Sequence, residues 1–276
     1  MATFVSIMTS LTYTSTSEIF YSSTYIQQVV KEHVVPFHAL TYILGGKLLV
    51  RDANASYVIN EGEAILFRKN QLVKATKCPG ADTPFKSITL FFTAHFLQKF
   101  YTTFKPAFAP AGLKLKLMNR NPIISHLFHS ILPDYESGKN FSEEFIDSKL
   151  TDAITVLRTI DPETDTILSD NVKPGKIDLG EFMHTNYIFN IPINRFAYLT
   201  GRSLATFKRD FHKKFNLPPQ KWLLQKRLQQ AHYLITEQHK KPTDVYMEVG
   251  FENLSHFSYS FKQFFGYNAS KASPVE

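Results

Sequence analysis

Residues 192–216 read PINRFAYLTGRSLATFKRDFHKKFN, and residues 242–266 read PTDVYMEVGFENLSHFSYSFKQFFG. The two stretches match at a spacing of fifty. Pro192, Phe196, Leu199, Ser203, Phe207, Phe211, Phe215 and Asn216 are answered by Pro242, Tyr246, Val249, Asn253, Phe257, Phe261, Phe265 and Gly266. Each copy predicts a helix start, an apolar pair, a turn containing glycine (Gly201; Gly250), a capping residue and a second helix. Ser203 and Asn253 suit the cap because a side-chain oxygen accepts from an otherwise unpaired amide of the first helical turn. The three Phe that follow in each copy stand at i, i+4 and i+8, which makes one buried stripe and leaves the opposite face free.

In the first copy that free face carries Ala205, Lys208 and Arg209. Two helices joined by a brief glycine turn, with a basic face on the second, form the helix-turn-helix that enters the DNA major groove. A single copy would read first as a bare helical hairpin, but two in register within a basic segment point to DNA. The candidate DNA-facing residues are Ser203, Ala205, Thr206, Lys208 and Arg209, then Leu254, Ser255, His256, Ser258 and Tyr259. Between the copies, Leu217-Pro218-Pro219 stops the first, and a helix is predicted through Trp222, Leu223, Arg227, Ala231 and Leu234 to Gln238. About twenty residues make a rod of roughly 30 Å. Major-groove faces on one side of B-DNA recur at ~34 Å, so one chain can place both second helices in successive turns of the groove.

Residues 176–276 resemble the DNA-binding domain of AraC/XylS-type bacterial transcription regulators, with helix-turn-helix units at 192–216 and 242–266. The resemblance is carried by Val249-Gly250-Phe251-Glu252-Asn253, Phe257-Ser258, Phe261-Lys262 and Phe264-Phe265-Gly266. Two departures stand out. Tyr259 occupies a position where the family commonly has Arg, and Asn268-Ala269-Ser270 replaces the usual Thr-Pro-Ser. The resemblance implies double-stranded promoter DNA as a partner, and RNA polymerase as a second.

The charge sits with the repeat. From Gly175 onward there are 14 Lys and Arg against 8 Asp and Glu, whereas residues 1–174 hold 17 against 16. Such an excess is the footprint of phosphate contact. Cys78 is the only cysteine, which excludes an internal disulfide and suits a reducing compartment. No run approaches ~18 continuous apolar residues, and the first basic residue is Lys31, so neither a membrane span nor a basic leader is read and a cytoplasmic location is expected.

The chain length suits about two domains. Strands are predicted at Tyr25–Val30, Ala39–Leu44, Lys47–Arg51, Tyr57–Asn60, Ala64–Phe67, Leu72–Lys77 and Phe85–Phe92, broken by Gly45-Gly46, Asn54, Glu61-Gly62 and Pro79-Gly80. Short strands at this spacing suggest a sandwich or small barrel. The family resemblance makes residues 25–117 a cupin-like jelly roll or β-barrel acting as a sensory domain, preceded by a hydroxyl-rich arm at residues 1–24. The fold class is thus a two-domain α+β chain whose C-terminal domain is all α. Cupins are often metalloenzymes, but His33, His38 and His95 lack the closely spaced His pair and following Glu of such a site, and no nucleophile and base stand together. No catalytic residue, metal or cofactor is assigned.

Residues 118–162 predict a helical hairpin. Ile124, Leu127, Phe128 and Ile131 mark one helix, and Ser142-Glu143-Glu144 caps the next. In the second, Ile146, Leu150, Ala153, Leu157 and Ile160 form a heptad-like seam. It suits either packing on the domain's own sheet or a homodimer contact through Ile146, Leu150, Leu157 and Ile160. Residues 163–175 read as a polar linker. The whole describes a sequence-specific transcription regulator controlled through its first domain by a small molecule or a partner protein. The competing class is a cupin-type enzyme or small-molecule carrier with a secondary DNA-binding appendage.

Overall fold

A computed structural model describes residues 18–106, 115–136, 141–170 and 174–272. The chain forms two compact units, residues 1–172 and 173–276. The first contains β1 (Ile19–Thr24), β2 (Gln28–Val34), β3 (His38–Gly45), β4 (Lys47–Arg51), β5 (Ser56–Asn60), β6 (Ala64–Phe67), β7 (Leu72–Cys78), β8 (Phe85–Phe92), α1 (Ala94–Thr103), β9 (Leu115–Met118), α2 (Pro122–His129), α3 (Leu132–Glu136), α4 (Glu143–Ile160) and α5 (Asp165–Leu168). The strands make two antiparallel sheets, of order β1-β8-β3-β6-β9 and β2-β7-β4-β5, which do not close into a barrel. Of the expected arm, residues 1–17 lie outside the described residues. Its end is not an arm: Ile19–Thr24 pairs with Thr24 opposite Phe85 and Ile19 opposite Leu90.

Alternation along the strands explains the layers. On β3 and its neighbours one parity, Ala39, Ile43, Ile65, Phe67 and Phe85, meets Leu48, Val50, Ile59, Val73 and Ala75 of the second sheet. The other parity, Leu40, Tyr42, Leu66, Ile88, Leu90 and Phe92, packs on α1, α2 and α4. The five-stranded sheet is therefore covered on both faces, which is why β3 reads as an apolar run rather than a strict alternation.

The seam on α4 belongs to that helical layer. Leu150, Ala153, Ile154 and Leu157 are fully buried in the unit's own core, and Ile146 and Ile160 pack against it. Leu150 and Leu157 are therefore core residues with no surface left for a second copy, while Ile146 and Ile160 at the edges of the seam stay half-buried. Much of the expected linker is also core. Pro162–Thr164 is a turn of 3-10 helix, α5 follows, and Thr164 to Leu168 are buried. The buried Asp165 carboxylate accepts from Tyr101 Oη at 2.7 Å and pairs with Arg158 Nε at 3.2 Å. No helix among the described residues is long and apolar enough to cross a membrane.

Asp170 closes this segment with an ion pair to Arg68, while its carbonyl meets His38 Nε2 at 3.0 Å. Nδ1 of His38 accepts from the Lys69 amide at 3.3 Å, which fixes the proton on Nε2. Burial, with Lys69 and Arg68 near, pushes His38 down to about 4 although the Asp170 contacts oppose this. The folded state thus holds the imidazole neutral, so its contribution is present above the unfolded pKa near 6.5 and is lost as pH falls from there toward 4. The loss amounts to something on the order of 3 kcal/mol. His38→Gln keeps a donor and an acceptor but does not titrate. Denaturant unfolding followed by sheet dichroism should show a shallower stability loss for the variant between those pH values, and parallel curves would disprove the assignment.

The second unit is helical: α6 (Leu179–Asn186), α7 (Ile193–Leu199), α8 (Leu204–Phe215), α9 (Pro219–Thr236), α10 (Pro242–Glu248) and α11 (Leu254–Phe265). Pro219 occupies the first turn of α9 and Pro242 that of α10, where proline's missing amide donor costs nothing. At 18 residues α9 is ~27 Å long.

Candidate nucleic-acid interface

Each recognition helix begins on its cap and ends in the left-handed region. Ser203 Oγ accepts from the Thr206 amide at 3.2 Å, and Asn253 Oδ1 from the His256 amide at 2.7 Å. The helices stop at Asn216, with φ of 53°, and Gly266, with φ of 83°. Phe207 and Phe211 are fully buried, and the Phe211 and Phe215 rings stand 5.6 and 4.6 Å from that of Trp222 on α9. Phe257 and Phe261 are buried in the same way against Leu228, Ala231 and Ile235 of α9. One connecting helix thus supports both recognition helices.

The repeat has two spacings rather than one. The Arg202 amide donates to the Ala197 carbonyl and the Phe251 amide to that of Tyr246, each at 2.9 Å, an offset of forty-nine. Gly201 and Gly250, with φ of 67° and 96°, obey the same offset, and Val245 rather than Tyr246 takes the buried place of Phe196. The helices α8 and α11 are offset by fifty. The second turn therefore holds one residue more, Glu252, whose carboxylate accepts from Asn190 Nδ2 at 3.0 Å.

Opposite the Phe stripe of α8, Ala205, Lys208 and Arg209 are exposed, and Thr206 is half-buried beside its cap. Ser203, exposed at the cap, accepts from the Thr206 amide and donates Oγ to Thr206 Oγ1 at 3.0 Å. Arg209 keeps 77% of its side chain exposed, with Nε 3.7 Å from Asp210. Such an exposed pair is worth little and can be exchanged for DNA. On α11, Leu254, Ser255, His256, Ser258 and Tyr259 are all exposed, Tyr259 at 67%, and the His256 ring leans on Phe251 at 5.5 Å. His212 and Lys262, three residues beyond Arg209 and Tyr259, extend the two free faces by a turn and are also exposed. Helical periodicity alone could have added them.

The Arg202 guanidinium holds the Asp210 carboxyl below the usual carboxylate range. Arg227 of α9 is the other ordering cation. It donates to the carbonyls of Tyr187 and Phe189 at 2.8 Å each, and to Asn190 Oδ1 and the Gly250 carbonyl at 3.2 Å each.

Two capped helix-turn-helix units on one supporting helix, each with its free face turned to solvent, define a DNA-binding transcription regulator. A helix-turn-helix domain family matches residues 196–272, and the ExsA N-terminal regulatory domain family matches residues 38–158. The thermoregulatory protein LcrF of Yersinia pestis is 23% identical over 241 residues, spanning 84% of this chain and 88% of that protein. The HTH-type transcriptional regulator ExsA of Pseudomonas aeruginosa is 24% identical over 245 residues, spanning 83% and 84%. The structure of apo ToxT K231A from Vibrio cholerae aligns over 93% of this chain and 97% of its own, at 13% identity and a TM-score of 0.45. These matches support an AraC/XylS-type transcription regulator, with a regulatory first domain and a DNA-binding second one.

Proposed function

We propose that this regulator reads an asymmetric promoter site of two blocks about one helical turn, ~10 base pairs, apart. The first block is read by α8 and the second by α11. The observation that carries the reading is the exposed Lys208 and Arg209 pair opposite a buried Phe stripe, set against the exposed Ser258 and Tyr259 at the matching places of α11. Arg makes the bidentate contact to guanine O6 and N7 that discriminates bases, whereas Ser, Tyr and His reach less far or suit phosphate. The first unit supplies most of the discrimination, and the second chiefly positions the protein on the backbone. The first domain acts as a regulatory module answering a small molecule or a protein, and bound DNA is presented to RNA polymerase. The regulator is not an enzyme, and it acts in the cytoplasm, where its promoter lies.

Selection of bound sequences from random DNA by the full chain tests the reading. Enrichment of two blocks one turn apart is expected. Failure to enrich any motif, with weak binding that fades in salt, would sink it. On the selected site Arg209→Ala should weaken binding by ~1–3 kcal/mol and relax one base position. The double variant Tyr259→Ala, His256→Ala should weaken binding evenly across sequences. Affinities for single-base variants decide, and equal loss of discrimination from both sets would refute the division.

A further inference from the structure

The segment that leads out of the first domain is built into the first reading unit. Residues 174–178 precede α6 and run over the turn between α7 and α8. Gly201 has no Cβ, and one placed there would overlap the Gly175 carbonyl. Next to it Arg202, whose side chain is 7% exposed, donates Nη1 to the Ile177 carbonyl at 3.0 Å and to that of Thr200 at 2.7 Å. Its Nε donates to Asp210 Oδ2 on α8 at 3.1 Å. Lys176 Nζ stands 4.0 Å from the same carboxylate. One turn further along α8, Lys214 Nζ donates to both oxygens of Asp178, at 3.2 and 3.0 Å, while Asp178 caps α6. The connector therefore meets the turn twice, at Gly201 and Arg202, and α8 twice, at Asp210 and Lys214. Among the described residues no hydrogen bond or ion pair joins 174–178 to α10 or α11.

Asp210 and Lys214 lie between the Phe stripe of α8 and its free face, one residue from Arg209 in the first case. A guanidinium with three acceptors in a fixed plane resists rotation of the helix that carries one of them. Upstream, Asp170 is itself held by Arg68 and His38, and only residues 171–173 separate the two described, anchored segments. We propose that Arg202 is a positioning residue for base reading: through Asp210 and the Ile177 carbonyl it fixes α8 to the connector, so that connector movement changes the pose of Arg209 on DNA. The regulatory domain acts on the first unit and leaves the second as a fixed backbone anchor. This rests on the reading that α8 discriminates bases.

The test uses the full chain, with Arg202→Gln, Asp210→Asn, their combination, Arg202→Lys and Arg209→Ala measured on every single-base variant of both blocks. Arg202→Gln and Asp210→Asn should each reduce discrimination at the first block by roughly 5- to 10-fold while changing the second block by less than about 2-fold. The combination should be no worse than either single variant because both break one clasp. Arg202→Lys should recover part of the loss. Hydrogen exchange without DNA gives an independent reading: residues 204–215 should exchange faster in Arg202→Gln, and residues 254–265 at their former rate. Equal acceleration in both helices, or equal loss at both blocks, would reduce Arg202 to a general fold residue and overturn the proposal. Discrimination lost in Arg209→Ala but kept in the Arg202 and Asp210 variants would overturn it as well. If Arg209→Ala also keeps it, the base-reading assignment of α8 fails instead.

Discussion

Leu157→Asp is expected to abolish the folded first unit, not to release a monomer. Leu157 is fully buried on the face of α4 that packs with Leu150, Ala153 and Ile154 against the five-stranded sheet. Truncating such a leucine costs about 2–5 kcal/mol through lost transfer energy and the cavity left behind. A carboxylate in its place adds an unpaired charge in an apolar layer, and the sum approaches the 5–15 kcal/mol that typically holds a domain together. The full-length variant should therefore be largely insoluble, or should lose its sheet dichroism, while emission from the single Trp222 in the second unit stays native. Ile160→Asp, at the half-buried end of the same seam, should remain folded. A soluble, folded Leu157→Asp protein would mean that α4 does not sit in its own core.

The seam shows where sequence alone stops. A four-three spacing of apolar residues specifies that a helix has one wet and one dry face, and is silent on which molecule supplies the cover. What was legible is local in origin. The strands β4, β6 and β8 have the expected bounds because turn residues flank them, and Ser142, Ser203 and Asn253 cap the helices that they were expected to cap. The failures have distant causes. Asp165 and Asp170 lie in a stretch with the composition of a linker, yet Asp165 meets Tyr101 and Asp170 meets Arg68, partners 64 and 102 residues away. The hydroxyl-rich Ile19–Thr24 becomes a strand because β8 offers it an edge. The helix α1, capped by Thr93 and burying Phe96, Leu97 and Phe100, follows so closely on the apolar β8 that the change of period is masked. At the candidate interface the exposed faces were legible from the Phe stripes, but the clasp of Arg202 on Asp210 and Ile177 was not, since two of its acceptors are backbone carbonyls.

Arg227→Met should produce the largest loss in the second unit. Methionine keeps an unbranched stem and a similar helix propensity, so the change chiefly removes the guanidinium. It leaves the carbonyls of Tyr187, Phe189 and Gly250 and the Asn190 amide oxygen without a donor that now binds all four. Hydrogen bonds from a charged donor contribute about 1.5–3 kcal/mol each and are not additive, so a total loss of roughly 3–5 kcal/mol is expected. Gly250 makes the arrangement attainable: its φ of 96° closes the second turn, and a Cβ there would overlap the Ile188 carbonyl and stand 3.0 Å from Arg227 Nε. Arg227 therefore fastens the second turn to the helix that spaces the two units. Once it is removed, α11 keeps its apolar packing on α9 but loses its fixed distance from α8 along the groove. Thermal unfolding should show the stability loss, and hydrogen exchange should show residues 242–265 loosening more than residues 193–215. Arg227→Lys, a single-point donor, should fall between the two. A methionine variant within about 1 kcal/mol of the native protein would show that water serves those carbonyls equally well, and that the spacing of the units is set by apolar packing alone.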